Sequence, residues 1–273
     1  MKTFIDQIPA GKDASIIADL QEKAYREAHG LSQSALKDFI TKSPAHFLAS
    51  QQEVKETTKA MEFGTAFHAV MLQQNPKEFY AVKQKMDGRT KEGKAYNETF
   101  AIDNAGKAII DVEEEAKILA MRESVLAHPL ARKLHNLTTE RELAVFGTLQ
   151  TMEDDVRLKG RIDAYCEEDG FILDYKSCED ASPNGFKKAI YDFRYDIQNV
   201  QYPWLIKNAG KKFTKFYFIA VEKKPPYAVG VYSVSDGWLT YTADLWFDAV
   251  NRFGVCTATK TFPAYSDAEV VLS

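Results

Sequence analysis

The 273-residue sequence has little cysteine, no long apolar run and no surplus of positive charge. Its three cysteines, Cys166, Cys178 and Cys256, are an odd number at unrelated spacings, which excludes a disulfide framework and the usual zinc patterns. No apolar run approaches the roughly 20 residues that span a bilayer. The first fifteen residues lack the continuous apolar segment of a signal peptide. We therefore expect a cytoplasmic protein that does not associate with a membrane.

The charge balance and a missing nucleotide motif exclude further classes of protein. The chain has 35 basic and 39 acidic residues, a net charge of −4, whereas a protein that coats nucleic acid through bulk charge is usually basic. Any contact with nucleic acid therefore requires a local positive patch. The pattern G-x-x-x-x-G-K-[ST] does not occur, so we expect no ATP motor. With 45% hydrophobic residues the chain can bury a large core, and we expect one domain over residues 1–273.

Hydrophobic periodicity changes from helical to strand-like near residue 135. The first part, about 1–135, is predicted to form helices over 14–29, 31–52 with a break at Ser43-Pro44, 58–74 and 112–135. The second part, about 136–273, is predicted to form three strands, two helices, two more strands and a long helix over 236–254. This order predicts an α/β domain with a central mixed β-sheet flanked by helices.

The stretch GRIDAYCEEDGFILDYKS, residues 160–177, places two acids and a lysine among residues typical of buried strands. Asp174 and Lys176 share one strand face because side chains alternate, and Asp163 lies near the end of the preceding strand. Two carboxylates this close repel each other unless a cation lies between them, and all-oxygen ligation suits Mg²⁺ or Mn²⁺. Lys176 can orient or deprotonate a water, or stabilise charge at a phosphate. An isolated D-x-K is more often a weak surface pair, so this interpretation depends on other motifs.

Four segments in this order resemble the PD-(D/E)XK nuclease superfamily, particularly its RecE-like and RecB-like exonuclease branches. They are LSQSALKDFITKSPAHF, FGTAFHAVML, the pair GRIDAYC and FILDYKS, and QNVQY. The resemblance covers residues 31 to 205 and is closest to the RecE type. The second acid is Asp174 rather than the commoner Glu. The resemblance implies a restriction-endonuclease-like core.

The resemblance also implies roles for individual residues. The metal ligands that it implies are His68, Asp163, Asp174 and the backbone carbonyl of Tyr175. Gln198 and Tyr202 are four residues apart and share one helix face, where they can position a water, a phosphate oxygen or a base. Taken alone, a helical histidine is more often a core residue, and Gln198 and Tyr202 fit an ordinary buried stripe.

Contacts to DNA must come from local basic residues, because the chain is acidic overall. Arg89, Lys91 and Lys94 lie in a polar stretch that is otherwise typical of a solvated loop. Arg161, beside the active-site strand, is another candidate phosphate contact. Glu142 lies on the strand paired with the metal strand and is a candidate outer ligand, although we do not expect it to be one.

The resemblance implies a Mg²⁺-dependent exonuclease, in which Mn²⁺ can substitute, acting on linear double-stranded DNA in the 5′→3′ direction. It further implies a phage or prophage origin, a RecT-like single-strand annealing partner and a ring-like homo-oligomer, a tetramer or a trimer. Three cysteines cannot supply the four ligands of an iron–sulfur cluster. The alternatives are a RecB-like nuclease subunit, a structure-specific endonuclease and an inactive DNA-binding module.

Overall fold

The computed structural model describes residues 4–18, 20–53, 57–265 and 269. For the N-terminal segment the sequence predicts one helix over 14–29, and that prediction is wrong. Strand β1, Lys12–Ile17, occupies the first half of this range, and helix α1 is only Glu22–Glu27; Asp19 lies outside the described residues. Pairing with a long sheet strand satisfies the backbone of β1, and this tertiary contact overrides the helical spacing.

Helix α1 is attached to the sheet by a buried lysine of a neighbouring strand. The ammonium of Lys159 donates hydrogen bonds to the carbonyl oxygens of Tyr25, Arg26 and Ala28, at 3.1, 3.1 and 2.7 Å. A cation is favoured where a helix ends, because the last carbonyl groups have no partner inside the helix. The two-residue strand β2, Leu31–Ser32, follows and pairs in parallel with the same strand that carries Lys159.

The next three helices begin where hydroxyl side chains cap them. Ser32 accepts a hydrogen bond from the amide of Ala35 at the start of α2, and Ser43 and Thr58 cap the following two helices in the same way. The break at Ser43-Pro44 is confirmed. These helices are α2, Gln33–Thr41, α3, Pro44–Gln52, and α4, Lys59–Leu72.

The region between α4 and residue 139 contains elements that the sequence analysis did not predict. Strands β3, Tyr80–Lys83, and β4, Ala108–Asp111, form a small parallel sheet on either side of helix α5, Lys91–Asp103. The single helix predicted over 112–135 is two helices, α6, Val112–Ala127, and α7, Pro129–Leu137. The break lies at Pro129, because the residue before a proline is pushed out of helical geometry.

The central sheet is mixed, which confirms the predicted α/β fold with helices on both faces. Its strand order is β1-β5-β6-β7-β8-β9, with β2 beside β6. Strands β5 to β7 form an antiparallel meander, and β8 is parallel to β7 because helices α8 and α9 connect them. The elements are β5, Glu140–Gln150, β6, Asp155–Tyr165, β7, Phe171–Cys178, α8, Pro183–Phe193, α9, Tyr195–Asn208, β8, Lys215–Glu222, and β9, Val229–Tyr232.

Two apolar cores cover the faces of the sheet. One contains Trp204 of α9 and Trp246 of the last helix, α10, which runs over Asp236–Thr259, five residues beyond the predicted end. The other contains Phe67 of α4 and Tyr175 of β7. The N-terminal part is therefore not purely helical, because β1 and β2 belong to the central sheet. Over the described residues, no helix is long and apolar enough to cross a membrane.

Candidate active site

The acidic residues lie where strands β6 and β7 separate. The two strands pair in register only at Ala164 with Leu173 and at Tyr165 with Ile172. The next opposed positions are Asp163 and Asp174, and there Oδ2 of Asp163 accepts a hydrogen bond from the backbone amide of Tyr175 at 2.9 Å. A side chain thus takes the place of a ladder partner and holds the strand fork open.

Asp163 forms an ion pair with the predicted histidine of α4. The distance from Nδ1 of His68 to Oδ2 of Asp163 is 3.4 Å. Burial alone would raise the pKa of Asp163, but the charge and hydrogen bond of His68 and the ammonium of Lys176 outweigh it and lower that pKa. Burial opposes the charge of His68, yet Asp163 raises the pKa of His68 to about 9. The pair is therefore ionised at neutral pH when no metal is bound.

Asp174 is more deeply buried, with 1% of its surface exposed. The amide of Gln198 donates a hydrogen bond to its Oδ2, and Lys176 forms an ion pair with it. Burial is the main cause that raises the pKa of Asp174 to about 6; the charge of Lys176 opposes the shift, and Asp163 adds to it. Two acids at one strand fork thus differ in their affinity for a proton.

Lys176 joins the acids to helix α9. Its ammonium donates to Oε1 of Gln198 at 3.2 Å and lies 4.7 Å from the centre of the Tyr195 ring. Burial alone would lower the pKa of Lys176, but Asp174 and Asp163 raise it above its ordinary value. The lysine is therefore a fixed cation at the acid cluster. The structure brings it together with both acids and Gln198, as the motif order predicts.

Tyr202, the second residue of the Q-x-x-x-Y motif, is buried on α9, and the charges of Asp174 and Asp163 add to the upward shift of its pKa. Its ring packs under β6, where a Cβ at Gly160 would come within 2.7 Å of Cε1 of Tyr202. Its hydroxyl lies beside the backbone of Arg161, and burial raises its pKa well above the ordinary value. The glycine of the G-R-x-D motif is thus required by the tyrosine, and Tyr202 supports the strand that carries Asp163.

Glu142 of β5 is a site residue that the sequence analysis placed outside the metal site. Ligand atoms of His68, Glu142 and Asp163 all lie within 4.8 Å of one another. The β5–β6 register places Glu142 opposite Asp163, and its φ of +52° is in the left-handed region. Such backbone strain at a residue other than glycine often marks a functional position. The register of the predicted meander was the signal for it, since 142 and 163 are equidistant from the turn.

Arg161 and the other predicted DNA contacts lie in different surroundings. The Arg161 guanidinium is paired with Glu22 of α1 and with Glu142, and 15% of its side chain is exposed. A phosphate there must compete with two carboxylates. Arg89 is exposed and paired with Asp87, and it lies near the start of α5. Lys91 and Lys94 are exposed on the first turn of α5.

The donor set fits a hard divalent cation. A cleft of 380 Å³ is lined by His68, Glu142 and Asp163, together with Gly64 and Thr65 of the same helix α4. Carboxylate oxygens with one imidazole suit Mg²⁺ or Mn²⁺, and the backbone carbonyl of β7 can add a further oxygen. Buried, mutually repelling acids are costly without a cation between them. Among the described residues, the group that can hold such an ion consists of His68, Glu142 and Asp163. Asp174, the other predicted acidic ligand, is not part of that group and instead contacts Lys176 and Gln198.

Comparisons with known proteins agree with this fold. A profile of the PDDEXK-like domain of unknown function, DUF3799, matches residues 32–271. A crystal structure of a "putative exonuclease" from Eubacterium rectale has a TM-score of 0.62 at 14% identity, over 94% of this chain and 96% of that one. A phage-related exonuclease from Haemophilus somnus has a TM-score of 0.33 at 13% identity, over 72% and 94%.

No curated protein matches the chain. At these identities the structural likeness concerns the fold alone, and it rests on the structure from Eubacterium rectale. The family profile spans most of the sequence, including His68, both acids of the strand fork and Lys176. The chain therefore belongs to the PDDEXK-like family DUF3799.

Proposed function

We propose that this protein is a metal-dependent deoxyribonuclease that degrades linear double-stranded DNA from its ends. One observation carries the proposal: two buried acids meet at a strand fork, with a lysine cation paired to one of them. A packed core would favour apolar residues there, because buried charge is stabilising only when it is well paired. The same observation speaks against an inactive DNA-binding module.

His68, Glu142, Asp163, Asp174 and the Tyr175 carbonyl would hold the metal ion or ions. When bound, Mg²⁺ polarises a phosphate oxygen and lowers the pKa of a water. The chain itself supplies Lys176, whose raised pKa keeps it protonated, so that it donates to an attacking water or to a phosphate oxygen. Gln198 fixes the orientation of both Asp174 and Lys176 through its amide.

The direction of cleavage and the partners rest on the resemblance to the RecE type. We propose 5′→3′ degradation that leaves 3′ single strands for a RecT-like annealing protein. Arg89, Lys91 and Lys94 would contact the DNA backbone. Tyr202 would support strand β6, which carries Asp163, by packing beneath it. A ring of four or three subunits would hold an acidic chain on duplex DNA, since it turns small basic patches into a positive channel.

The decisive assay uses linear duplex labelled at either the 5′ or the 3′ end, and closed circular duplex, with Mg²⁺ and with a chelator. An exonuclease releases labelled nucleotides from linear DNA only, and the label that leaves first gives the direction. Cutting of closed circles indicates a structure-specific endonuclease. Degradation only in the presence of a helicase indicates a RecB-like subunit.

Lys176→Ala tests the catalytic assignment. We expect cleavage to fall by a factor of about 100 or more, because an oriented cation at the reacting phosphate is removed. DNA binding in Ca²⁺ should change little, and the circular dichroism spectrum should remain that of the wild type, although loss of the cation beside Asp174 should lower the unfolding temperature. Lys215→Ala, an exposed lysine on the adjacent strand β8, is the control and should cleave normally. Wild-type cleavage by the Lys176 variant would exclude the proposed site.

A further inference from the structure

Two exposed aromatic residues lie at the junction of α8 and α9. Tyr191 and Phe193 have 70% and 54% of their surfaces exposed. Phe193 does not stand alone, because its ring stacks on Tyr195, with ring centres 5.6 Å apart and an interplanar angle of 24°. The pair forms a platform with its outer ring in solvent and its inner ring within the protein.

The inner ring reaches the acid cluster. The ammonium of Lys176 lies over the Tyr195 ring, 4.7 Å from its centre, and the same lysine pairs with Asp174. An unbroken series of contacts therefore leads from the surface at Phe193 to the lysine of the site. Burial raises the pKa of Tyr195, so it remains an uncharged ring at neutral pH.

The backbone that presents Phe193 is fixed in place. Arg194 adopts the left-handed conformation, with φ of +54°, between the end of α8 and the start of α9. Its guanidinium donates two hydrogen bonds to the buried carboxylate of Asp196, at 3.0 and 3.2 Å. Thr242 and Trp238 of α10 donate to the same carboxylate at 2.8 and 3.3 Å. A strained residue joined by two hydrogen bonds to a carboxylate that accepts two more from α10 indicates that the position of this corner matters.

A cation completes the platform. Nζ of Lys37, on α2, lies 5.6 Å from the centre of the Phe193 ring. This ammonium lies over the ring, so the flexible lysine has to move aside when a base stacks there, and it can then contact the phosphate of the same nucleotide. This pairing favours a nucleotide over a purely apolar partner such as a second copy of the chain.

We propose that Phe193 stacks on the terminal nucleobase of the DNA substrate and thereby places the adjoining phosphate at Lys176. The proposal rests on the nuclease function proposed above. In the proposed complex the stacked base has left its partner in the duplex, as bases held on aromatic rings of single-strand sites have, so the ring favours opening of the DNA end. Phe193 is then a positioning residue for substrate ends, and Tyr195 supports it.

Kinetics on two kinds of end test this role. The substrates are a blunt duplex and the same duplex with three mismatched terminal pairs, so that its end is already open. For Phe193→Ala we expect KM on the blunt duplex to rise about tenfold, the effect of removing one base–ring stack, with a smaller effect on the mismatched end. Phe193→Trp, which keeps an aromatic ring at this position, should have the same KM as the wild type. Tyr191→Ala, an exposed ring outside the stack, is the matched control.

A binding experiment without cleavage gives a second measurement. A 5-iodouracil at the terminal position forms a photochemical crosslink with an aromatic ring stacked on it, and Ca²⁺ replaces Mg²⁺ so that the DNA stays intact. We expect mass spectrometry to locate the crosslink at Phe193 in the wild type and in Tyr191→Ala. Phe193→Ala should lose it.

The outcomes separate this role from the nuclease function. A wild type that cleaves, with a Phe193→Ala variant that keeps its KM on blunt ends and its crosslink yield, would overturn the stacking role alone. A change in oligomer mass of Phe193→Ala in light scattering, with unchanged crosslinking, would assign the ring to a subunit contact instead. A wild type that releases no nucleotide from any duplex would overturn the nuclease function and this role with it.

Discussion

Asp163 and Asp174 occupy opposed positions on adjacent strands, yet their surroundings move their pKa values in opposite directions. Asp163 has the imidazolium of His68 and a backbone amide as partners, which favour the carboxylate. Asp174 is so deeply buried that its charge is disfavoured, although Lys176 is beside it. A metal-free site therefore carries protons that a divalent cation must displace.

Metal affinity should therefore rise with pH. The pKa of His68 is about 9, so its imidazole is protonated at neutral pH and must lose a proton before it can bind a cation. Between pH 7 and pH 8 we expect Mn²⁺ to bind about tenfold more tightly, with about one proton released per ion. Calorimetry in two buffers with different ionisation enthalpies measures both quantities. His68→Gln should bind Mn²⁺ weakly and without this pH dependence; equal wild-type affinity at pH 7 and 8 would contradict the assignment.

Glu142 combines a strained backbone with a position in the acid cluster, and two substitutions separate these properties. Glu142→Ala and Glu142→Gly both remove the carboxylate and its pair with Arg161, so both should weaken Mn²⁺ binding. At a φ of +52°, alanine keeps a cost that glycine does not have, although glycine gains more freedom in the unfolded chain. We expect the glycine variant to be more stable by about 0.5–1 kcal/mol. Urea unfolding with equal m-values measures the difference, and a more stable alanine variant would contradict the strain.

At the residue scale, spacing and resemblance predict a set of side chains that the structure brings together. They predict His68, Asp163, Asp174, Lys176 and Gln198, and these residues lie together in the structure. Glu142 was missed because nothing in its local sequence sets it apart. Its place beside Asp163 follows from the register of β5 with β6, which the equal distances of 142 and 163 from the turn indicated.

At the scale of elements, the meander, the helices over 31–52 and 58–74 and the long C-terminal helix were predictable, whereas the first strand was not. Residues 14–17 follow helical spacing with the residues after them, but their backbone pairs with β5. The small β3–β4 sheet was missed because each strand has only four residues. Short strands gain their stability from long-range partners, so their own residues carry little signal.

Helix α7 is attached to β7 by a contact that should depend on pH. Nδ1 of His135 lies 2.6 Å from the hydroxyl of Tyr175, and burial, with Arg141 and Arg122 nearby, lowers the pKa of His135 to about 4. The unfolded chain, with a histidine pKa of about 6.5, binds more protons than the native state between about pH 4 and 6.5. The stability contribution of a neutral His135 is therefore complete above pH 6.5 and decreases as the pH falls toward 4.

We expect His135→Gln to remove roughly 1–2 kcal/mol of the stability change between pH 6.5 and 4.5, since solvent screens part of the effect. Glutamine can still form a hydrogen bond with Tyr175 but does not titrate. Urea unfolding at several pH values measures the change, with His29→Gln, an exposed histidine, as the control. If the His135 variant keeps the wild-type pH dependence of stability, protonation of His135 is not its cause.

At the scale of the whole molecule, binding to DNA has to overcome a net charge of −4. We expect the exposed residues before and at the start of α5 to provide phosphate contacts, so the triple variant Arg89→Ala, Lys91→Ala and Lys94→Ala should bind duplex more weakly. The slope of log K against log salt should decrease by about one unit for each phosphate that is no longer neutralised. Fluorescence anisotropy in Ca²⁺ at several salt concentrations measures the slope.

A control with the same change of charge distinguishes direct phosphate binding from bulk electrostatics. The control removes three exposed basic residues on other helices: Lys117, Arg132 and Lys133. It should lower affinity less and leave the salt slope near that of the wild type. Equal slopes in the wild type, the triple variant and the control would show that Arg89, Lys91 and Lys94 do not contact phosphates and are only solvated.

Lys159, whose ammonium binds the end of helix α1, determines how far the N-terminus can be truncated. Residues before 31 lie outside the motifs, so a truncated protein or a chimera designed from the motifs alone would lack them. Removing them would leave the Lys159 ammonium buried without the three carbonyl oxygens that receive it, and it would strip β1 from the edge of β5. An orphaned cation and a bare sheet edge favour misfolding and aggregation. The unit that can be transplanted between proteins is consequently larger than the unit that carries the chemistry.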